Sequence, residues 1–217
     1  MKKVIFVCAT LLLCVLPALA QDYPKAELFL GYEYVRFNPA HEASGNQNFN
    51  MNGGGGAILY NFKPAFGIKA EFTGAGAGDM KVCSQVGSNC LTTSGNFFTY
   101  LFGPQFTYRT SRVMPFVHVL FGGAYSNVYG NIKTAGTTSL GTADFGKQAF
   151  ALAAGGGIDV KASKSIAIRL GQFDYFMTRF SGRWIDTSGT GSIGNLEISN
   201  QSNFRYLAGV NFLIGGK

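Results

Sequence analysis

From residue 21 onward the chain breaks into eight runs in which apolar residues alternate with small or polar ones, and the connections between them go long, short, long, short, long, short, long. The last run has the clearest pattern. Phe204, Tyr206, Ala208, Val210, Phe212 and Ile214 share one parity, while Asn203, Arg205, Leu207, Gly209, Asn211 and Leu213 share the other. Side chains alternate across a strand with period two, so such a run presents one face to an apolar medium and one to a polar interior. Short turns at one end and longer loops at the other are the pattern of small membrane barrels. The expectation is an all-β chain forming an eight-stranded antiparallel up-and-down transmembrane β-barrel.

The first strand spans residues 26–38, with Leu28, Leu30, Tyr32 and Tyr34 outward and Glu27, Gly31 and Glu33 inward. After a long loop holding His41, the second descends through the glycine run to Phe62, and Lys63-Pro64 turns the chain into the third. There Phe66, Ile68, Ala70 and Phe72 alternate with Lys69 and Glu71. A second long loop is expected over residues 74–95. The fourth strand places Phe98, Tyr100, Phe102, Pro104, Phe106 and Tyr108 on one face, with Pro104 a misfit because it has no N–H to donate. The fifth sets Val117, Val119 and Phe121 outward and His118 inward, and a third loop covers residues 126–146. Strand six has Asp159 inward. In strand seven Ile166, Ile168 and Leu170 alternate with Arg169, but Phe173 and Tyr175 have the opposite parity, so a bulge is expected near Gly171-Gln172, with Gln172 and Asp174 inside. The fourth loop covers residues 178–202.

Residues 1–20 read as a secretory signal peptide: Lys2 and Lys3, an apolar stretch, then Pro17-Ala18-Leu19-Ala20. Residues 21–217 form the barrel domain. The formal charge of +7 falls to +5 when Lys2 and Lys3 are removed, and Cys83 and Cys90 are then the two remaining cysteines. In an exported chain these two are expected to form a disulfide, restraining the unfolded chain by about 2–3 kcal/mol. No apolar run long enough for a transmembrane helix follows residue 20. Phe and Tyr are abundant and charge is sparse, which fits an outer wall facing lipid. Lys and Arg are scattered along the chain without forming a patch, so nucleic-acid binding is not expected. With an even number of strands both termini share one side. Export makes that side the periplasm and puts the four long loops outside the cell.

The chain resembles the eight-stranded outer-membrane β-barrel family of the OmpA transmembrane-domain and OmpX kind over nearly its whole mature length. The residues that carry the resemblance are Gly155-Gly156-Gly157-Ile158-Asp159-Val160, Arg169-Leu170-Gly171-Gln172-Phe173-Asp174-Tyr175 and Asn203-Phe204-Arg205-Tyr206. It implies insertion by the barrel assembly machinery and residence among outer-membrane lipid and lipopolysaccharide, as a monomer. The chain departs from the family pattern by ending Ile214-Gly215-Gly216-Lys217, where an aromatic residue is usual.

The interior of an eight-stranded barrel is just wide enough for side chains to fill it, and charges buried there have to be paired. Glu33, Lys69, Glu71, Asp159, Arg169, Asp174 and Arg205 are therefore expected to form a lumen ion-pair network. Asp159 and Arg169 are expected low on neighbouring strands, Asp174 and Arg205 high, with Glu33 adjacent. Lys69 and Glu71 would find partners across the lumen. The network reads as a polar plug or, as the resemblance allows, a switchable gate over a narrow conductance, with Arg205 pairing to Glu33 or Asp174. Arg179, Arg183 and Trp184 of the last loop could meet lipopolysaccharide phosphates or a partner protein.

His118 raises a lipid A-modifying enzyme as an alternative, but a hydrolase would need a serine within its reach and none is close in sequence. Gly189-Thr190-Gly191-Ser192-Ile193-Gly194 matches a dinucleotide fingerprint in letters alone, with no strand before it and no helix after it. The function expected is non-enzymatic, needing no cofactor, and structural, surface-interacting or porin-like. A soluble lipocalin-like ligand binder is a further alternative; it requires the opposite assignment of faces.

Overall fold

The computed structural model describes residues 23–37, 49–83, 90–126, 130–131, 142–145, 148–179, 182–185, 193–196 and 200–216. The signal-peptide segment and His41 lie outside the described residues. Twelve strands follow in chain order: β1 (Ala26–Phe37), β2 (Phe49–Lys63), β3 (Phe66–Cys83), β4 (Cys90–Thr107), β5 (Val113–Ser126), β6 (Gly130–Asn131), β7 (Thr142–Phe145), β8 (Gln148–Lys161), β9 (Ile166–Arg179), β10 (Gly182–Ile185), β11 (Ile193–Leu196) and β12 (Gln201–Ile214). Eight of them close into an antiparallel barrel in the order β1-β12-β9-β8-β5-β4-β3-β2. The seam runs from Ala26↔Ile214 to Arg36↔Phe204, and Lys25 N–H donates to the Ile214 carbonyl at 2.8 Å, so the start of β1 and the end of β12 meet beside the short turns. Closure gives every strand of the ring a partner on both sides.

The faces divide as the alternation requires. Most large apolar side chains on the outer wall are exposed, up to 73 % at Tyr108, whereas the lumen charges Glu33, Lys69, Glu71, Asp159, Arg169, Asp174 and Arg205 are 0–3 % exposed. A wall of this kind cannot face water around its whole circumference, and each of the eight barrel strands has at least the ~9–11 residues needed to cross a bilayer at barrel tilt. A lipocalin-like soluble barrel, apolar inside and polar outside, is excluded by the same division.

The ladder shifts register where the sequence changes parity. Ile158 pairs with Gly171 but Asp159 with Arg169, and Leu207 pairs with Gln172 but Gly209 with Arg169, so β9 carries one extra residue at Leu170-Gly171. Beyond this bulge Gln172 and Asp174 face inward and Phe173 and Tyr175 outward. Pro104 is accommodated differently. The β4–β5 ladder pairs Phe102↔Phe121 and Gln105↔His118 and skips the two residues between, so the missing N–H interrupts the pairing without shifting it.

Two expectations about loops are corrected. The stretch over residues 74–95 is mostly strand: β3 continues to Cys83 and β4 begins at Cys90, with the two cysteines opposite each other in register. Its Gly-Ala sequence has no apolar period, so pairing with β4 decides it. Among the described residues there is no disulfide, and the side chains of Cys83 and Cys90 lie outside them. The third and fourth connections carry β6, β7, β10 and β11, which form a second sheet in the order β11-β10-β7-β6. The link between β7 and β10 joins two different connections, a non-local pairing that no local pattern reveals.

Strand approach at the seam depends on glycine. Gly31 and Gly209 are cross-strand partners, and a Cβ on Gly209 would stand 2.2 Å from the Leu30 carbonyl oxygen and 2.5 Å from the Gly31 Cα. Both contacts are to backbone, which cannot swing away. Gly209→Ala is expected to lower barrel stability by about 1–3 kcal/mol, read as an earlier midpoint in urea unfolding from detergent micelles. An unchanged midpoint would show that β1 and β12 can separate without cost.

Candidate functional site

The lumen fills in layers set by strand parity. At the turn end, Glu27 of β1 accepts from Asn61 Nδ2 of β2 at 3.0 Å and Asn211 Nδ2 of β12 at 2.7 Å, and pairs with Arg109 Nη2 at 2.5 Å. Arg109 also donates through Nε to the Pro64 carbonyl at 2.7 Å, which ties the β4–β5 turn to the β2–β3 turn. Asn211 reaches Asp159 Oδ2 as well, at 3.0 Å, joining this layer to the next.

The second layer is built on Arg169. Its Nε and Nη2 meet the two oxygens of Asp159 at 2.8 and 3.0 Å, a bidentate pair between neighbours β8 and β9. The guanidinium lies between two rings, 4.2 Å from the centroid of Phe29 and 4.4 Å from that of Phe116. Cation–π contact with two aromatic faces adds to the hydrogen bonds that hold this buried guanidinium.

The third layer centres on Glu71. One of its oxygens pairs with Lys69 Nζ at 2.6 Å and the other with Arg205 Nη2 at 2.5 Å. Arg205 also meets Asp174 Oδ2, through Nη2 at 2.6 Å and Nε at 3.0 Å. The other Asp174 oxygen lies 2.9 Å from His118 Nε2. Glu33 stands at 3.7 Å from Arg205 Nη1 and accepts instead from Thr73 Oγ1 at 2.8 Å. The layers are joined by Gln172. Its carbonyl oxygen accepts from Arg169 at 2.8 Å and Lys69 at 3.0 Å, and its amide donates to Asp174 at 2.8 Å and Glu71 at 3.2 Å.

All seven lumen residues named from the sequence lie inside the barrel, in two centres joined by Gln172. The pairing of Lys69 differs from expectation. It bonds to Glu71, two residues along its own strand, and reaches across the lumen to the neutral Gln172. The main partner of Arg205 includes Glu71, which the sequence did not assign to it. Glu27, Arg109, Asn61, Asn211 and Gln172 complete the network and were missed as members. Arg109 shares the inward parity of Gln105 and Thr107, and that signal could have found it.

Above the charges the lumen turns mostly apolar, with the polar Thr99, Thr178 and Asn203 also buried there. Val35, Met51, Ala75, Phe97, Leu101, Leu120, Ala124, Ala151, Ala153 and Phe176 form one buried cluster, with the rings of Phe97 and Phe176 edge-to-face at 5.8 Å. Arg205 touches this layer from below, its guanidinium 5.2 Å from the Phe176 ring centroid.

His118 is 3 % exposed and faces the lumen, so it has no access to the lipid wall where an acyl-chain substrate would lie. Of the residues read as a loop contact, Arg179 is exposed at the end of β9, while the side chains of Arg183 and Trp184 in β10 lie outside the described residues.

No protein-family model matches the chain, and no curated protein matches it. Solved structures do. The outer membrane protein OprG from Pseudomonas aeruginosa superposes with a TM-score of 0.57 at 10% identity, over 88% of this chain and 96% of that one. Ail, the attachment invasion locus protein of Yersinia pestis, does so at 0.51 with 12% identity, over 88% and 98%. The likeness is one of fold. It covers small outer-membrane barrels and does not single out the OmpA and OmpX kind.

Removing one charge from the third layer strands its partners. Arg205→Met is expected to destabilise the barrel by about 3–5 kcal/mol, because Glu71 and Asp174 lose their shared cation. Adding Glu71→Gln and Asp174→Asn to that variant should recover a large part of the loss. Unfolding midpoints of the single and triple variants in one detergent would check this, and equal midpoints would show that the charges are not coupled.

Proposed function

We propose that this chain is a monomeric, non-enzymatic outer-membrane β-barrel with a closed lumen, whose interactions are made by its loop end and its lipid-facing wall. The carrying observation is the filled interior. Three polar layers and an apolar one stack from Glu27 to Val35, and the lumen side chains of both kinds are almost wholly buried. A water-filled path would leave some of them wet. Monomeric state is supported by closure, since each strand of the ring already has a neighbour on both sides. In this reading the termini and short turns face the periplasm, the long connections face outside, and the barrel assembly machinery inserts the chain. Lipopolysaccharide would meet Arg179, Arg183 and Trp184 at the loop end. The lipid A-modifying alternative loses support from the enclosed position of His118.

A gated narrow pore is the second reading, and Glu71 is what favours it. Lys69 and Arg205 each hold one of its oxygens, so the two cations could exchange places. Conduction would also require Phe97 and Phe176 to part.

The refolded protein is expected to migrate differently on SDS gels before and after boiling, and to give no discrete conductance steps in planar bilayers. Arg205→Ala is expected to lower the temperature of the gel shift while leaving the bilayer silent, since the apolar layer stands. Steps in the wild type would overturn the closed-lumen reading, and steps that appear only in Arg205→Ala would favour the gate. For the loop end, replacing Arg179, Arg183 and Trp184 together with Ala should weaken capture on immobilised lipopolysaccharide. Unchanged capture would remove these residues from the proposal.

A further inference from the structure

The charges of the described barrel are sorted by position. Every carboxylate with a described side chain, namely Glu27, Glu33, Glu71, Asp159 and Asp174, is buried in the lumen. The turn end, by contrast, carries Lys25 just before β1, Lys63 at the end of β2, Arg112 before β5, Lys161 at the end of β8 and Lys164 in the β8–β9 turn. Lys63, Arg112 and Lys164 are exposed, and no exposed carboxylate stands beside them among the described residues. Arg109 does not belong to this set, because it turns inward onto Glu27.

On β2, β3 and β4 the wall immediately above these cations is aromatic. Tyr60 and Phe62 of β2, Phe66 of β3 and Phe106 of β4 form a contiguous row, with ring centroids 5.1, 6.4 and 5.0 Å apart in succession. Tyr108 is 73 % exposed at the same end. Lys25 Nζ sits 5.5 Å from the centroid of Tyr60, which joins the cation level to the ring level. Aromatic side chains mark the boundary between hydrocarbon and headgroups, so cations just beyond them stand at phosphate depth.

We propose that the turn end binds the anionic headgroups of glycerophospholipids in the leaflet it faces. The inference rests on the membrane-spanning reading above. A lipid surface fits better than an anionic polymer because the cations are spread around the ring, over the β1, β2–β3, β4–β5 and β8–β9 corners of its turn end. A polymer strand would be met by a concave or one-sided patch. Each Lys or Arg held near an anionic membrane surface contributes attraction that salt screens within a Debye length of about 10 Å at 0.1 M. The excess positive charge thereby becomes an anchor that fixes the depth of the turn end.

The test refolds the wild type and a Lys63→Gln, Arg112→Gln, Lys161→Gln, Lys164→Gln variant into phosphatidylcholine vesicles. These carry a trace of spin-labelled phosphatidylglycerol or spin-labelled phosphatidylcholine, and the motionally restricted fraction of each label is measured. The wild type is expected to restrict several-fold more of the anionic label, with the preference shrinking as salt rises, and the variant is expected to restrict both labels alike. No preference in the wild type, or a preference that survives in the variant, would overturn the inference. Wild-type protein that shows no lipid preference but co-sediments with purified peptidoglycan in neutral detergent would reassign the surface to a polymer. The gel shift on boiling separates the two levels of failure: a shift without selection sinks this inference alone, while no shift sinks the barrel reading beneath it. If the quadruple variant does not show the shift, Lys63→Gln with Lys164→Gln, both at exposed turn positions, replaces it under the same criteria.

Discussion

Once eight strands close into a ring, every inward side chain has only other inward side chains to satisfy it. Lipid cannot hydrogen-bond to the charges through the wall, and water does not reach them. Glu71 therefore holds Lys69 and Arg205 at once, Asp174 holds Arg205 and His118, and Gln172 spends both ends of its amide joining those centres to Arg169. The network follows from the closure, and it in turn holds together strands that are far apart in sequence. Glu71 and Arg205 are separated by 134 residues, and Asn211 and Glu27 by 184.

The same enclosure accounts for the division of the lumen into a charged lower part and an apolar upper one. A buried ion pair is tolerable where further hydrogen bonds satisfy the remaining oxygens and protons. Arg169 has that support from Asp159, Gln172 and two aromatic faces. Above Arg205 most inward residues are Val, Met, Ala, Leu and Phe, which need no partners and cover the charges below them, while the buried Asn203 donates to Thr178 there. Outside, the constraint reverses. The wall carries no described carboxylate, an aromatic row stands at the turn end of β2, β3 and β4, and basic residues follow beyond it. Position thus decides what a charge does here: a lumen carboxylate holds strands together, and a cation on the rim addresses the surroundings.

Much of this was legible in the order of residues. The change of parity between Leu170 and Phe173 located the bulge, because one inserted residue is what turns Phe173 outward and Asp174 inward. The even spacing of Asp159 and Arg169 about a short turn put them near each other low in the barrel. Gln172 was legible as inward but not as the bridge between centres, since a neutral amide carries no sign to match. Arg109 was hidden because a turn residue seldom reaches back into a core. The extension of β3 to Cys83 escaped notice because alternating Gly and Ala leaves no apolar period, and the β7–β10 pairing because it joins segments of two separate connections.

The sequence by itself determined which residues face lipid and which face the lumen, because that depends only on a period of two along each strand. It determined the up-and-down order too, since short turns allow a strand no partner but its neighbour. Which inward charge meets which was decided by the tertiary structure alone. Closure sets the stagger between β1 and β12 and brings β3, β9 and β12 to one height, and the distances that make Glu71 the shared partner of Lys69 and Arg205 do not exist until the ring is shut.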